Sequence, residues 1–537
     1  MAINESTLVN AGLQLGLFDT ELVARLRPVA RAQRLSLPEA IAVQLRLPLA
    51  AMWHALAESR GMPFVRLAEV DIAEELLERV PASLLQAQRI LPVRSATGEL
   101  LLVTGDPDER SGPASVARLL GQNLPLALAE PDELAEAIRR ATGRAPGGTR
   151  SSAEEPIALF DRLLKDAWLR RSSDIHVEAS KDAYQIRLRV DGVMHAWGPS
   201  LPRALGEGLV SRVKVLANMD ISESRAAQDG GLSYRPPGLD GDALDMRVAS
   251  IPTRFGERLT LRILKSDSGP LSLDALGMPA DMLQQFRRVI TRPHGIVLVT
   301  VPTGSGKSTT LYAALRELDC RRLNILTVED PIEQNVSGIS QVQVSGKVGF
   351  ADALRSFLRH DPDIVLVGEI RDYDTADTAL KASTTGHLVL STLHTNSALG
   401  AITRLADIGC ERYLLADTLA GAIAQRLVRR LCERCKQAYA ADDDSCQRLG
   451  QQPGSVTLYR PVGCPACLGN GYKGRIGLFE ALWIDSALAA AIAGQANEGE
   501  LRRHARQWYR LSDDARAKVL AGVTSLAEVD KLIGWEC

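Results

Sequence analysis

The stretch Val301-Pro302-Thr303-Gly304-Ser305-Gly306-Lys307-Ser308-Thr309 decides the fold of the second half of this chain. It follows the apolar run Ile296-Val297-Leu298-Val299 and precedes a predicted helix over 310–318. Glycines between a strand and a helix let backbone N–H groups turn inward around phosphate groups, and the helix amino terminus adds partial positive charge. The pattern therefore predicts a nucleotide phosphate-binding loop, formed by Pro302, Thr303, Gly304, Ser305, Gly306, Lys307, Ser308 and Thr309.

Two side chains of this loop have predicted chemical roles. Lys307 is expected to reach the β- and γ-phosphates, and the Ser308 hydroxyl is expected to coordinate Mg²⁺. The loop departs from the usual pattern at its first position, where Val301 replaces glycine. Because a β-branched residue avoids positive φ, we expect an extended Val301, with Gly304 and Gly306 forming the turn. The alternative is a plain Gly/Ser turn, against which the Gly-Lys-Ser core in this context argues.

Acidic and histidine residues follow other apolar strands. Glu369 lies within the segment Asp361–Asp372, just after the run Ile364–Val367, and His394 follows the run Leu388–Leu390. Ligands of open parallel sheets bind beyond the carboxyl ends of the strands. Glu369 is therefore predicted to polarise the attacking water or to hold it through Mg²⁺, the alternative being a solvated loop acid. His394 is predicted to sense the nucleotide state near the γ-phosphate.

Four of the eight cysteines form two Cys-x-x-Cys pairs, Cys432/Cys435 and Cys464/Cys467. Four thiolates in two such pairs suit tetrahedral Zn²⁺ and leave no open position for catalysis. The sequence therefore predicts a structural zinc site. A redox role of either pair is the alternative, and the presence of two pairs at this separation argues against it.

Composition and pattern divide the chain into several units. Apolar residues make up 45% and charged residues 24%, as in globular proteins. Residues 1–142 are predicted to form a separate N-terminal domain, 143–155 a Gly/Ser/Pro-rich linker, and 156–266 a small α+β domain. Residues 271–537 are predicted to form an α/β domain with a mainly parallel sheet, because its strands are continuous apolar runs. That domain includes a tetracysteine subdomain at 430–470 and a helical C-terminal part at 485–537.

The charge and hydropathy of the chain bear on its partners. A formal net charge of -2 gives no general electrostatic footprint for nucleic acid, which requires a basic face. The chain has neither a run of about 20 apolar residues nor an export signal at its start, so we expect a cytoplasmic protein. A nucleic-acid translocase, the first alternative, would need a basic channel lined with aromatic side chains. Aromatic residues make up only 4% of this chain, which argues against it. A nucleotide-binding regulator without turnover is the other alternative, and Lys307 and Glu369 argue against it.

In this order, the motifs resemble those of the secretion ATPases of type II secretion and type IV pilus assembly. The phosphate loop matches the Walker A box and Glu369 matches Walker B. Glu329, Asp330 and Glu333 match the Asp box, and His387 and His394 match the His box. The middle domain also matches, through segments that include Ser173–His176, Arg189–Gly192, Gln228–Gly230 and Arg247–Thr253. The resemblance is strong over 156–482 and weaker across the N-terminal domain.

The resemblance implies a RecA-like ATPase domain after a PAS-like middle domain, and a homo-hexamer that hydrolyses ATP with Mg²⁺. It implies catalytic roles for Glu329 and Glu333 beside Lys307, Glu369 and His394. It also implies arginine fingers from the middle domain, for which Arg247, Arg254 and Arg258 are the candidates. The alternative for these three is salt bridging on a strand face.

The tetracysteine segment and the N-terminal domain are typical of assembly ATPases rather than retraction ATPases. Ala398–Leu405 and the short cysteine spacing are more similar to type II secretion than to pilus extension, which remains the alternative. The N-terminal domain would then dock on a membrane-anchored platform protein and hold the enzyme at the inner membrane. A few family members bind cyclic di-GMP in this domain, and no convincing version of that motif is present here.

Overall fold

The computed structural model describes residues 5–33, 35–77, 79–95, 97–142, 154–237, 239, 243–264, 272–300 and 306–533. The chain divides into two compact units. The first consists of Met1–Ser266 with Val462–Gly471, and the second of Asp267–Pro461 with Tyr472–Cys537. Most of the linker predicted at 143–155 lies outside the described residues. Its last two residues begin a helix.

The first unit starts with helices that pack around a small apolar core. The third of these helices, Leu37–Leu45, has a well-defined start, because Ser36 and Glu39 form a reciprocal capping box there. The helices are α1 (Glu5–Gln14), α2 (Thr20–Gln33), α3 (Leu37–Leu45) and α4 (Leu49–Ser59).

A small sheet with short helices follows in the same unit. Its strands have the order β1-β2-β3-β4, antiparallel except for the parallel pair β3 and β4. The elements are β1 (Asp71–Ile72), α5 (Glu74–Leu77), α6 (Ala82–Gln88), β2 (Ile90–Arg94), β3 (Leu100–Thr104), α7 (Ser111–Leu120), β4 (Leu126–Leu128) and α8 (Pro131–Ala141).

The last part of the first unit is an antiparallel sheet with helices packed on one face. Its strand order is β7-β6-β5-β11-β10-β9, and β8 pairs with β6. The elements are α9 (Glu154–Leu169), β5 (Ser172–Ala179), β6 (Ala183–Val190), β7 (Val193–Ala196), β8 (Leu201–Pro202), α10 (Arg203–Leu216), β9 (Gln228–Tyr234), β10 (Leu244–Thr253) and β11 (Gly256–Ile263).

Side-chain alternation explains this sheet. Tyr184, Ile186 and Leu188 of β6 are buried in the core, while the residues between them point to the other face. The turn from β6 to β7 contains Asp191 and Gly192 with φ of 49° and 86°, as the Asp-Gly signal predicts.

The second unit is built on a mainly parallel sheet, which confirms the predicted fold class. Its strand order is β14-β13-β15-β16-β12-β17-β20-β21, with only the pairs β17–β20 and β20–β21 antiparallel. The strands are β12 (Gly295–Thr300), β13 (Ile325–Glu329), β14 (Ser340–Gln343), β15 (Ile364–Val367), β16 (Leu388–Leu393), β17 (Leu419–Leu431), β18 (Gln437–Ala440), β19 (Thr457–Arg460), β20 (Tyr472–Trp483) and β21 (Trp508–Tyr509).

Helices cover both faces of this sheet. The alternating residues of β12 show this, because Ile296 and Leu298 belong to one apolar core and Val297 and Val299 to another. The helices are α11 (Ala280–Ile290), α12 (Lys307–Glu317), α13 (Phe350–Phe357), α14 (Tyr373–Thr384), α15 (Ala398–Ile408), α16 (Arg412–Thr418), α17 (Asp443–Arg448), α18 (Ser486–Ala493), α19 (Glu498–His504), α20 (Leu511–Leu520) and α21 (Leu526–Val529), and short 3₁₀ turns lie at Leu273–Leu276 and Pro465–Cys467.

Within the described ranges, no single helix is long and apolar enough to cross a membrane. Only α3 and α4 taken together pass that test, and the pair is bent by 110°.

The partly buried carboxyl of Glu130 makes the stability of the first unit depend on pH. Glu130 lies in the wall of a cavity of about 350 Å³, which Glu133, Asp166 and Arg170 also line. Burial, and then the carboxylates of Asp166 and Glu133, raise the pKa of Glu130 from 4.5 to about 8. Because the folded chain keeps a proton that the unfolded chain releases, this group lowers stability as the pH rises from 4.5 to about 8.

Replacing Glu130 by Gln should remove this loss. We expect a similar free energy of unfolding near pH ~5 and a gain on the order of 1–2 kcal/mol near pH ~8.5. Urea unfolding of the full chain at the two pH values measures the difference. Glu74→Gln, on the exposed face of α5, is the matched control and should shift neither midpoint. An equal gain at both pH values would contradict the assignment.

Candidate active site

The amino terminus of α12 carries the cationic end of the predicted phosphate loop. Gly306 precedes the helix with a φ of 86°, a conformation that suits glycine, and Lys307 is the first helical residue. Thr310 ties this end to the sheet, because its hydroxyl donates to the Gln425 Oε1 of β17 at 2.6 Å. Val301 and the loop residues Pro302, Thr303, Gly304 and Ser305 lie outside the described residues.

A small cavity joins this helix end to the carboxyl ends of β13, β15 and β16. These three strands are neighbours in the sheet, so their ends meet at one edge. The cavity has a volume of about 70 Å³. Its polar lining consists of Lys307, Ser308, Tyr312, Glu329, Asp330, Glu333, Glu369 and Thr392.

Two side chains, those of His394 and Arg371, bond the carboxylate of Glu369 at this cavity. One carboxylate oxygen lies 3.2 Å from the Nε2 atom of His394, and the other accepts a hydrogen bond from Arg371. Arg371 also lies 3.7 Å from Asp330. Burial alone raises the pKa of the Glu369 carboxyl, but hydrogen bonding to Arg371, aided by the charges of Arg371 and Lys307, outweighs it and lowers the pKa. The carboxylate is therefore ionised at neutral pH, as a group that orients water requires.

Glu329 lies at the end of β13 and is also held by hydrogen bonds. Thr327 Oγ1 and Gln341 Nε2 donate to one carboxylate oxygen at 2.6 and 3.0 Å, and Tyr312 donates to the other. Glu333 follows four residues later and lines the same cavity. Glu329 and Glu333, from one segment, and Glu369, from another, thus lie around the amino terminus of α12.

The two histidines of the predicted His box lie at opposite ends of β16. His394 follows the carboxyl end and contacts Glu369, whereas His387 precedes the amino end. The Nδ1 atom of His387 is 2.9 Å from the carbonyl oxygen of Ala382, at the end of α14. Of these two histidines, only His394 therefore contacts a side chain that lines the cavity.

The three candidate arginines lie on or beside the uncovered face of the antiparallel sheet in the first unit. Arg258 forms an ion pair with Glu178 at 2.8 Å, which is the salt bridging considered as the alternative. Arg247 is exposed, and Arg254 lies over the Phe255 ring with 5.4 Å between its guanidinium carbon and the ring centroid.

Strand register places two further arginines on this face, Arg189 and Arg262, which were not predicted as arginine fingers from the sequence. Arg189, Asp174, Arg262 and Arg247 stand side by side on β6, β5, β11 and β10. Asp174 accepts a hydrogen bond from Arg262 at 2.9 Å and lies 3.7 Å from Arg189. No local motif marks Arg262, because only the pairing of distant strands places it beside Arg247.

The four predicted metal-ligand cysteines come together in one cluster. The Sγ atoms of Cys432, Cys435, Cys464 and Cys467 all lie within 4.8 Å of one another. Zn–S bonds of about 2.3 Å in a tetrahedron place the sulfurs about 3.8 Å apart, and the Cys464 and Cys467 sulfurs are 3.7 Å apart. The backbone N–H groups of Cys464 and Gly471 donate to the Cys467 sulfur at 3.2 and 3.3 Å, as expected around a thiolate ligand. The residues fit a structural zinc ion.

Three functional contacts were not predicted from the sequence. Arg371 stands two residues after Glu369, and that spacing at a strand end was the available signal for it. Tyr312 and Gln425 reach the site from a helix and from a strand on the other side of β12, and their neighbouring residues in sequence indicate nothing of these contacts.

The comparison with known proteins agrees with this geometry. The family described as "Type II/IV secretion system protein" matches residues 150–531. The chain belongs to this family. Membership confirms the resemblance found in the sequence and makes the chain an ATP-hydrolysing P-loop enzyme. A second family, described as "MshEN domain", matches residues 60–148.

Curated relatives come from both branches of the family. The type II secretion system ATPase E of Vibrio cholerae is 49% identical over 378 residues, which cover 70% of this chain and 74% of the relative. The type IV pilus assembly ATPase PilB of Myxococcus xanthus is 37% identical over 509 residues, which cover 88% of this chain and 89% of the relative. Among solved structures, the ATPase DotB of Legionella pneumophila has a TM-score of 0.53 at 23% identity, covering 72% of this chain and 97% of DotB, and it supports the fold alone.

Proposed function

We propose that this chain is a cytoplasmic ATPase that hydrolyses ATP to power pseudopilus assembly in type II protein secretion. One observation carries the chemistry: Lys307, Glu329 and Glu369 line a single cavity at the amino terminus of α12, with His394 bonded to Glu369. The type II secretion names of relatives at 46–50% identity, among them that of Vibrio cholerae, support the biological assignment.

In the proposed reaction, each group acts on charge or on water. Lys307 and the backbone of the loop from Pro302 to Thr309 bind the phosphates, and Glu369 orients the water that attacks the γ-phosphate. His394 is bonded to that carboxylate and is placed to respond when the phosphate leaves. Ser308 would hold Mg²⁺, which neutralises phosphate charge when bound. Glu329 and Glu333 add the carboxylates of the segment that follows β13.

The site is proposed to be completed between subunits of a homo-hexamer. Arg247, Arg254 and Arg258 are the proposed arginine fingers, and Arg189 and Arg262 join the candidates because they share a sheet face with Arg247. On that face Arg187, Arg189, Arg247, Arg258 and Arg262 slightly outnumber the acids Asp174, Glu178, Asp229 and Asp245, and guanidinium groups bind phosphate well.

The remaining parts of the chain have proposed supporting roles. Residues 1–142 dock on a membrane-anchored platform protein and so place the enzyme at the inner membrane, 143–155 are the linker, and 156–266 are the middle domain. Within the ATPase domain at 271–537, zinc bound by the four cysteines stabilises the segment 430–470. Nucleic acid is not a proposed partner.

Extension of a type IV pilus is the second candidate function. It is favoured by PilB of Myxococcus xanthus, which matches a longer part of this chain than the type II relatives do. Binding of the purified chain to the cytoplasmic domain of a type II platform protein, compared with that of a pilus platform protein, separates the two functions. Preferential binding to the pilus protein would overturn the type II assignment.

The experiment that tests the proposed chemistry is steady-state phosphate release with Mg-ATP on samples sized by light scattering. We expect turnover only in oligomeric wild type, because the arginines must come from a neighbouring subunit. Lys307→Ala should lower turnover by about 100-fold or more, since it removes the charge that stabilises the transferred phosphoryl group. Lys347→Ala, which changes an exposed lysine of the same unit, is the matched control and should leave turnover unchanged.

Two other results would point to other functions. Tight ATP binding without turnover in any oligomer would identify a nucleotide-binding regulator, and Val301 would be the first residue to revert to glycine. A salt-dependent affinity for single-stranded nucleic acid that stimulates turnover would identify a translocase.

A further inference from the structure

Tyr312 links α12, the helix of the phosphate site, to the segment Glu329–Gln334 through one hydroxyl group. It lies five residues into α12 after Lys307, and its side chain is buried. The hydroxyl donates a hydrogen bond to Glu329 and accepts hydrogen bonds from the backbone N–H groups of Glu333 and Gln334 at 3.2 and 3.3 Å. A single oxygen atom thus has partners at both ends of the segment Glu329–Gln334.

This hydroxyl completes the surroundings of the Glu329 carboxylate. Thr327 and Gln341 both donate to the Oε1 atom, and Tyr312 donates to the Oε2 atom. Burial and the hydrogen bond to Glu329 raise the pKa of Tyr312, so the phenol keeps its proton and remains a donor at neutral pH. The direction in which the carboxylate points is therefore fixed from two elements, its own sheet and α12.

The position of the contact separates it from an ordinary buried hydrogen bond. Tyr312 and Glu329 line the same cavity as Lys307 and Glu369, and α12 begins with the lysine that would bind phosphate. A change at the phosphate end of α12 moves the Tyr312 oxygen together with the helix, because a helix moves as a rigid element. The same oxygen then carries that change to Glu329 and to the backbone at Glu333.

We propose that Tyr312 is a positioning residue for hydrolysis, whose hydroxyl orients the Glu329 carboxylate and the segment Glu329–Gln334 relative to the phosphate-binding end of α12. The inference rests on the proposed ATPase function. Tyr312 itself touches no reacting atom in this account and acts through Glu329.

The test is Tyr312→Phe, which removes one oxygen and keeps the ring that fills the core. We expect kcat to fall on the order of tenfold, the loss expected for one buried hydrogen bond to a charged group. The Kd of a fluorescent ATP analogue should stay within about twofold, because the phosphate-binding groups are untouched. Tyr413→Phe, an exposed tyrosine in the same unit, is the matched control and should change neither value.

A double-mutant comparison shows whether Tyr312 acts through Glu329. In a Glu329→Gln background, Tyr312→Phe should cause little further loss of kcat, because the group it orients has already lost its charge. Any of three results would overturn the proposal. They are a tenfold fall in kcat in the Glu329→Gln background as well, an unchanged kcat in Tyr312→Phe alone, and a weaker affinity for nucleotide at constant kcat.

Two further results separate this proposal from a defect in assembly and from a failure of the proposed function. If Tyr312→Phe fails to assemble, difluorotyrosine at position 312 changes the acidity of the hydroxyl while keeping the ring, and an unchanged kcat there would overturn the proposal. A wild-type oligomer without turnover would instead overturn the proposed function, and this inference with it.

Discussion

Replacing Glu369 by Gln is expected to lower ATP turnover by about 100-fold or more while ATP still binds. The carboxylate is kept ionised by Arg371 and Lys307 and is the group placed to orient the attacking water. Such groups contribute roughly 10²–10⁴-fold to rate. Gln keeps the size of the side chain but removes its charge, so ATP affinity should be equal or higher in the absence of a carboxylate beside the phosphates. Phosphate release gives the rate, and titration with a fluorescent ATP analogue gives the affinity.

The control for this variant is Glu411→Gln, at an exposed glutamate that precedes α16 in the same unit. It should leave both the rate and the affinity unchanged. Light scattering verifies that Glu369→Gln still forms the same oligomer, because Glu369 also contacts Arg371 and His394. Turnover within about threefold of wild type would contradict the role of Glu369 and would direct attention to Glu329 as the water-orienting acid.

Removing the first cysteine pair with Cys432→Ser/Cys435→Ser is expected to abolish zinc binding and to unfold the segment 430–470. Structural zinc contributes on the order of 10–16 kcal/mol to the folding of small zinc-dependent peptides, so no comparable interaction can replace it here. We expect the zinc content to fall from about one per chain to near zero. Protease cleavage should then appear within 430–470, while ATP binding persists because the phosphate site uses other residues.

Cys320→Ser is the matched control, because Cys320 lies outside the cluster and its sulfur is 3.7 Å from the Ser337 carbonyl oxygen. It should retain zinc and resist protease like the wild type. Full zinc content in the double variant would contradict the tetracysteine assignment. A complete loss of ATP binding would show that zinc supports the whole ATPase domain and not only its own segment.

Local sequence patterns were sufficient to predict the individual strands and helices. The runs Ile296–Val299, Ile325–Val328 and Ile364–Val367 all became buried strands, as continuous apolar stretches between turn signals predict. The Asp-Gly turn of the middle domain and the helix that starts at Lys307 also follow from short-range chemistry. The spacing of the cysteines likewise predicted a cluster that the chain forms.

Other features depend on which strands become neighbours. Glu369 and His394 are 25 residues apart, and they meet because β15 lies beside β16 in the sheet. His387 lies at the opposite edge of the sheet, because it precedes the same strand that His394 follows. Arg262 joins Arg247 on one sheet face only through the pairing of β10 with β11.

The amino-acid sequence by itself determined the type of each element, the phosphate-binding motif and the family, because these depend on side-chain period and on a few residues at short spacing. Tertiary structure alone decided that Tyr312 bonds Glu329, that Gln425 holds Thr310, and that His394 meets Glu369. The reason is physical: hydrogen bonds between elements depend on strand order and helix placement, which are set by the packing of apolar faces over the whole domain and not by any local segment.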